Sequence, residues 1–112
     1  MTFSHRVDGT MAILAWEGVL SPDEQAEIRG LFWADYTEQA VARVLVDLSR
    51  CSCLNAATIS LLVGAQNIAT KVKSRLLLVG AQPENRTLLE GLSLTSYFEL
   101  HEDLSQLITE TT

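Results

Sequence analysis

One stretch of the sequence decides the fold: Val44–Leu62, which reads VLVDLSRCSCLNAATISLL. It begins with three adjacent apolar residues, Val44-Leu45-Val46, a pattern typical of a strand that is covered on both faces. A polar bend follows, and after Asn55 the apolar residues recur at helical spacing. Because asparagine is among the best helix N-caps, the stretch predicts a buried strand, a short bend and a helix that starts at Asn55.

The sequence before this stretch predicts a hairpin and a helix. Two β-prone runs, Phe3–Val7 and Met11–Trp16, flank Asp8-Gly9-Thr10, and Asp-Gly between such runs indicates a β-hairpin. Ser21-Pro22-Asp23-Glu24 combines a serine cap with proline at the first helical position and glutamate at the third, which predicts a helix to about Thr37. Helical spacing predicts that its inward-facing residues are Ile28, Leu31, Phe32 and Tyr36.

The sequence after Asn55 alternates helices and strands. In chain order it predicts a helix to about Val72, a strand at Arg75–Val79, a helix at Pro83–Glu90, a strand at Tyr97–Leu100 and a terminal helix at Glu102–Ile108. The long helix should bury Ile59, Leu61, Leu62, Ala65, Ile68, Ala69 and Val72. The order ββαβαβαβα predicts one α/β domain over residues 1–112, with a mixed central sheet, about four helices and frayed ends at about 109–112.

Size and charge exclude several classes of protein. A chain of 112 residues has room for one small core. Its net charge of −6 argues against nucleic-acid binding, which needs a basic surface. No apolar run approaches the ~18 residues of a membrane span. The N-terminus lacks the apolar core of a signal peptide, so we expect a cytoplasmic protein.

No residue pattern predicts catalysis or a cofactor. The sequence has no glycine-rich phosphate loop, no nucleophile elbow and no metal-binding histidine pair. Cys51 and Cys53 lie too close for an ordinary disulfide and have no histidine partners for zinc. On extended chain both would point to one buried face. Trp33 and Tyr36 should lie on or beside the exposed part of the first helix, as packing residues or as an interface.

Three segments of the chain carry a family resemblance: LAWEGVL (Leu14–Leu20), VDLS (Val46–Ser49) and LLEGLSLTSYF (Leu88–Phe98). Together they resemble the STAS domains, the family of anti-sigma factor antagonists. Leu14–Leu20 is similar to the family's second strand with its glycine, and Val46–Ser49 is similar to the Val-Asp-Leu-Ser that ends its third strand. Leu88–Phe98 resembles the family's C-terminal segment, with the glycine displaced by a few residues. The order of elements also matches. The resemblance covers nearly the whole chain and implies a STAS-like fold.

In the STAS family the join between the third strand and the next helix carries Asp-Ser-Ser/Thr-Gly. An anti-sigma factor with a GHKL-type ATPase fold docks there and phosphorylates the first hydroxyl residue. The phosphate adds about −1.5 to −2 charges and releases the antagonist by repulsion and desolvation. A phosphatase restores binding. The resemblance therefore implies a regulator that works by protein–protein contact.

This chain lacks the phosphorylation motif at the four equivalent positions, which are Asn55, Ala56, Ala57 and Thr58. Asn55 can cap the helix and lacks the charge of aspartate. Ala56 has no hydroxyl, so phosphate transfer at the usual position cannot occur. Thr58 is a possible alternative phosphoacceptor in the first helical turn, with Ser60 and Ser52 as further candidates; ordinary capping or surface hydroxyls are the other interpretation.

The resemblance places the partner-binding site at the start of this helix, and we call these residues the corner: Leu54, Asn55, Ala56, Ala57, Thr58, Ile59 and Ser60. It implies a non-enzymatic regulator, without metal or cofactor, whose protein partner is a GHKL-type anti-sigma factor or kinase. One alternative is a cytoplasmic STAS subunit or regulator that docks on a transport ATPase. Another is a small-ligand sensor. The sequence is also compatible with a homodimer formed through an edge strand or a helix.

Overall fold

The computed structural model of the chain describes residues 3–38 and 41–102, and five strands in these ranges form one sheet. Their order across the sheet is β1 (Phe3–Asp8), β2 (Met11–Trp16), β3 (Arg43–Asp47), β4 (Arg75–Val79) and β5 (Glu99–His101). β1 is antiparallel to β2, and the other neighbours are parallel. The predicted mixed α/β sheet is confirmed.

The helical segments connect the parallel strands. They are α1 (Pro22–Gly30), a π turn (Leu31–Asp35), α2 (Tyr36–Glu38), α3 (Ala56–Lys71) and α4 (Pro83–Gly91). The sequence predicted one regular helix before β3, and the structure instead interrupts it with the π turn, where the Tyr36 N–H donates to the Leu31 carbonyl. Three helical connections are therefore present in the described ranges, against about four predicted helices. The predicted terminal helix, from residue 103 onward, and the predicted frayed end at 109–112 lie outside the described residues.

The predicted start of α1 is confirmed in atomic detail. The Ser21 hydroxyl accepts a hydrogen bond from the Glu24 N–H at 3.2 Å, and the Glu24 carboxylate accepts one from the Ser21 N–H at 3.0 Å. This reciprocal capping box satisfies two of the backbone donors that a helix start leaves free. It fixes where the chain turns from β2 into α1.

The main core lies between one face of the sheet and the helices. Its buried side chains include Ala12, Leu14, Trp16, Val44, Val46, Leu76 and Leu78 from the strands and Ile28, Leu31, Phe32, Tyr36, Leu61, Leu62, Ala65, Ala69 and Leu89 from the helices. Burying one leucine contributes about 1.5–3 kcal/mol, so this layer dominates the packing energy. On the other face Leu45, Leu77 and Val79 form a second buried cluster. β3 and β4 are therefore covered on both faces, as their continuous apolar sequences predict.

The buried face of α3 is narrower than the predicted one. Thr58 is buried in place of Ile59, and Ile59 and Ile68, both predicted to be buried, are half-buried. Val72 was predicted to be buried and is 45% exposed. Because α3 ends at Lys71, Val72 occupies the C-cap position and no longer follows the helical period.

One ion-pair network links β4 to β5. The Arg75 guanidinium donates to both carboxylate oxygens of Glu99, and His101 Nε2 lies 2.8 Å from the same carboxylate. Burial alone would raise the pKa of Glu99, but the hydrogen bonds from His101 and Arg75 outweigh it and hold this pKa below its ordinary value. Glu99 is therefore a group whose charged form the fold stabilises.

Among the described residues, none of the helices combines the length and the apolar character that crossing a membrane requires.

Candidate functional site

The corner lies where the chain leaves β3 and enters α3. Asn55 has extended backbone angles, and its side-chain oxygen accepts a hydrogen bond from the Thr58 N–H at 2.9 Å. This is the N-cap that the sequence predicts. The first turn of α3 contains no acidic residue. The corner therefore keeps the capped geometry of a helix start without the charge of an aspartate.

The end of β2 holds the loop before the corner on one side. The Gly18 N–H donates to the Arg50 carbonyl at 2.9 Å, and the Ser52 N–H donates to the Gly18 carbonyl at 3.1 Å. Gly18 has a φ of +75°, a conformation that favours glycine. These two bonds continue the parallel pairing of β2 and β3 for a short distance beyond both strands.

Asn85 of α4 holds the same loop from the other side. Its Nδ2 donates to the Cys51 carbonyl at 2.9 Å, and its Oδ1 accepts from the Leu54 N–H at 3.1 Å. The two backbone partners fix the orientation of the amide, because one can only accept and the other can only donate. Asn85 is 3% exposed, so both bonds are shielded from water. Asn85 is a positioning residue that the sequence analysis did not single out.

The corner residues divide into a buried and an exposed set. Leu54 and Thr58 are buried, whereas Asn55 and Ile59 are half-buried and anchor the helix start. The exposed residues are Ala56, Ala57 and Ser60. The exposed surface of the corner is thus small, uncharged and, at the position of the family's phosphoacceptor, without a hydroxyl.

The Thr58 side chain faces the interior rather than a partner. It is 1% exposed, and its hydroxyl oxygen has no hydrogen-bond partner among the described residues. A kinase could reach this hydroxyl only after the first turn of α3 opened. Phosphorylation of Thr58 stays a prediction. The hydroxyl residues Ser52 and Ser60 are exposed.

The two cysteines do not share a face. Cys51 is buried and Cys53 is exposed, so the prediction that both point to one buried face is wrong for Cys53. The physical reason is that β3 ends at Asp47 and the chain around the cysteines is an irregular loop, where the alternation of a strand does not apply. Burial raises the pKa of the Cys51 thiol, which keeps it in its unreactive protonated form.

An open groove of about 370 Å³ lies at the carboxyl ends of β2 and β3 and includes Ser49 and Arg50 of the loop that follows β3. Its lining is Phe3, Ser4, Ala15, Trp16, Glu17, Asp47, Ser49 and Arg50. The charged side chains of this lining, Glu17, Asp47 and Arg50, are exposed or half-buried. A small-molecule site ordinarily places a few polar groups in a largely desolvated pocket, and this groove lacks that arrangement.

The fold matches those of several solved structures. TM1081 from Thermotoga maritima superposes with a TM-score of 0.84 at 12% identity, over 96% of this chain and 92% of that chain. The Bacillus cell-fate determinant SpoIIAA in its phosphorylated form gives a TM-score of 0.81 at 17% identity, covering 98% and 99%. A STAS domain protein from Planctomyces limnophilus gives 0.80 at 15% identity, covering 96% of each chain.

The chain is much less similar to known proteins in sequence than in structure. No protein-family model matches it, and no curated protein matches it either. Identities of 12–17% together with nearly complete coverage establish a common architecture and leave activity open. The chain has the fold of the STAS-domain anti-sigma factor antagonists.

Proposed function

We propose that the chain is a non-enzymatic, cytoplasmic regulator that binds another protein through the corner, as the anti-sigma factor antagonists it resembles do. The observation that carries the proposal is the way the corner is built. An exposed, uncharged helix start is held by the Asn55 cap, by the backbone of Gly18 and by the buried amide of Asn85. A preformed surface of this kind loses little conformational entropy on binding.

The proposed partner is a GHKL-type anti-sigma factor or kinase, and binding is not controlled at the usual serine position. Ala56 cannot accept a phosphate, and the nearest buried hydroxyl, that of Thr58, is inaccessible in the folded chain. An antagonist with this corner would behave as a permanently dephosphorylated one. Its binding would depend on the amount of the chain present rather than on a kinase and a phosphatase.

Calorimetric titration tests the proposal with each GHKL-type anti-sigma factor of the host, purified singly. We expect one of them to bind the wild-type chain equally well with and without ATP. Ala56→Glu places a negative charge where the family carries its phosphate and should abolish binding. Ala56→Ser keeps the small side chain and should retain binding. If that partner is a kinase, Ala56→Ser should also gain about 80 Da, one phosphate, on incubation with ATP.

Two results would overturn the proposal. One is a mass gain of about 80 Da on the wild-type chain that maps to the corner, since the chain would then carry a working phosphoacceptor. The other is the absence of binding to any GHKL-type protein. Binding to a transport ATPase instead would favour the alternative function.

A further inference from the structure

We infer that Trp33 is the second anchor of the partner surface, beyond the corner itself; the inference rests on the proposed function. Trp33 lies in the π turn and is 43% exposed, although it is one of the largest apolar side chains of the protein. π-helical turns occur frequently at functional sites. Tryptophan is also one of the residue types enriched among interface hot spots.

Gly64 of α3 sets the position of the indole ring. A Cβ atom on Gly64 would lie 2.8 Å from Cη2 of Trp33, which is closer than Cβ atoms pack, and 3.1 Å from Cζ2, which is a tight contact. The ring therefore rests against the backbone of α3 because residue 64 has no side chain. Trp33 therefore belongs to the π turn, and its ring packs against the backbone of α3 at Gly64.

The side of α3 that runs from the corner to Gly64, where Trp33 packs, carries no charged residue. Ala57, Ser60 and Gly64 follow one another at helical spacing and so lie along one side of α3. From Ala56 to Thr70 the chain contains no charged residue. Interface cores are depleted of charged residues and enriched in aromatic side chains, and this side of α3 with Trp33 beside it has both properties.

The distance places Trp33 inside the area that a partner on the corner would cover. At about 1.5 Å per residue, Gly64 lies about 10 Å along the helix axis from Ala57. A standard interface buries about 800 Å² on each partner, which corresponds to a disc about 16 Å in radius. Val72, at the far end of the same helix, lies about 22 Å from Ala57 and falls outside that disc.

The occupant we propose is the GHKL-type partner, with an uncharged apolar pocket that takes the indole. A second copy of the chain fits less well, because the net charge of −6 makes two copies repel each other. Val72 provides a matched control, since its exposure of 45% is nearly that of Trp33 and it lies outside the disc.

The test measures the affinity of the GHKL-type protein that binds the wild-type chain for three variants. Trp33→Ala should weaken binding by about thirty-fold, the effect of losing a hot-spot residue. Gly64→Ala should also weaken it, because the new methyl group displaces the ring, while Val72→Ala should bind as the wild type does. On binding, the wild-type fluorescence emission should shift to the blue, and the Trp33→Phe variant should show no shift, since Trp16 is already buried.

The outcomes separate this inference from the function on which it rests. If Ala56→Glu abolishes binding and Trp33→Ala leaves it unchanged, the corner remains the contact surface and the role of Trp33 is refuted. If neither variant affects binding, both proposals fail. If the wild-type chain dimerises in sedimentation equilibrium and Trp33→Ala is monomeric, the surface belongs to a second copy and the assignment to the partner is wrong.

Discussion

Truncation of Asn85 is the perturbation for which the structure makes the sharpest prediction. Asn85→Ala removes the amide that links α4 to the loop before the corner. The substitution leaves the Cys51 carbonyl and the Leu54 N–H without partners, and these residues are 0% and 1% exposed. The loop should therefore lose its attachment on the side of α4 while the bonds to Gly18 remain.

The expected loss of stability follows from the two backbone groups that lose their hydrogen-bond partner, the Cys51 carbonyl and the Leu54 N–H. A buried backbone donor or acceptor left unpaired costs about 1–3 kcal/mol. Allowing for a water molecule that enters the vacated space, we expect Asn85→Ala to lower the free energy of unfolding by about 2–4 kcal/mol. This is a large share of the about 5–15 kcal/mol that holds a typical domain folded.

Equilibrium denaturation in urea measures this loss, and amide hydrogen exchange locates it. The Leu54 N–H should exchange much faster in Asn85→Ala than in the wild type. Thr87→Ala, an exposed substitution in the same helix, serves as the control and should change stability by less than about 0.5 kcal/mol. An Asn85→Ala variant as stable as this control, with Leu54 still protected from exchange, would refute the role assigned to Asn85.

Three further predictions concern the cap, the thiols and the acid range. Asn55→Ala should destabilise the protein by about 1 kcal/mol in urea denaturation through loss of the N-cap, whereas Asn55→Asp should be at least as stable as the wild type; equal losses in both would contradict the cap. A maleimide should label Cys53 in the native protein and spare Cys51 until the chain unfolds, as peptide mass mapping will show; comparable labelling of both thiols would argue against the buried loop. Because folding lowers the pKa of Glu99, its contribution to stability is present above the ordinary glutamate pKa and is lost as the pH falls through the folded-state value. The stability difference between the wild type and Glu99→Gln should therefore be present at neutral pH and vanish in acid, and a difference independent of pH would exclude this origin.

Local patterns predict the sheet and most element boundaries. The bounds of β4 match the predicted strand Arg75–Val79, and α1 starts at its capping box. Each of these elements carries its signal within a few residues, as a hydrophobic period or a cap. The predicted inward-facing residues Ile28, Leu31, Phe32 and Tyr36 are buried as well. Of the two aromatic residues expected on or beside the exposed part of this helix, Trp33 is exposed and Tyr36 is not.

Features that depend on distant contacts are not visible in the sequence. The partners of Asn85 lie 31 and 34 residues away along the chain, and an asparagine in the first turn of a helix gives no sign of them. The exposure of Cys53 follows from its place in a loop that Gly18 and Asn85 hold by hydrogen bonds.

The burial of Thr58, in contrast, could have been anticipated from the sequence, because Thr58 shares a helical face with Leu62 and Ala65.

The proposed function requires that the corner contacts the partner and that ATP does not release this partner. Amide spectra of the ¹⁵N-labelled protein, recorded during titration with the GHKL-type anti-sigma factor and again after ATP is added, measure both properties. We expect shifts centred on Leu54–Ser60 that remain unchanged with ATP. Shifts confined to other surfaces, or corner signals that return to their free positions once ATP is present, would contradict it.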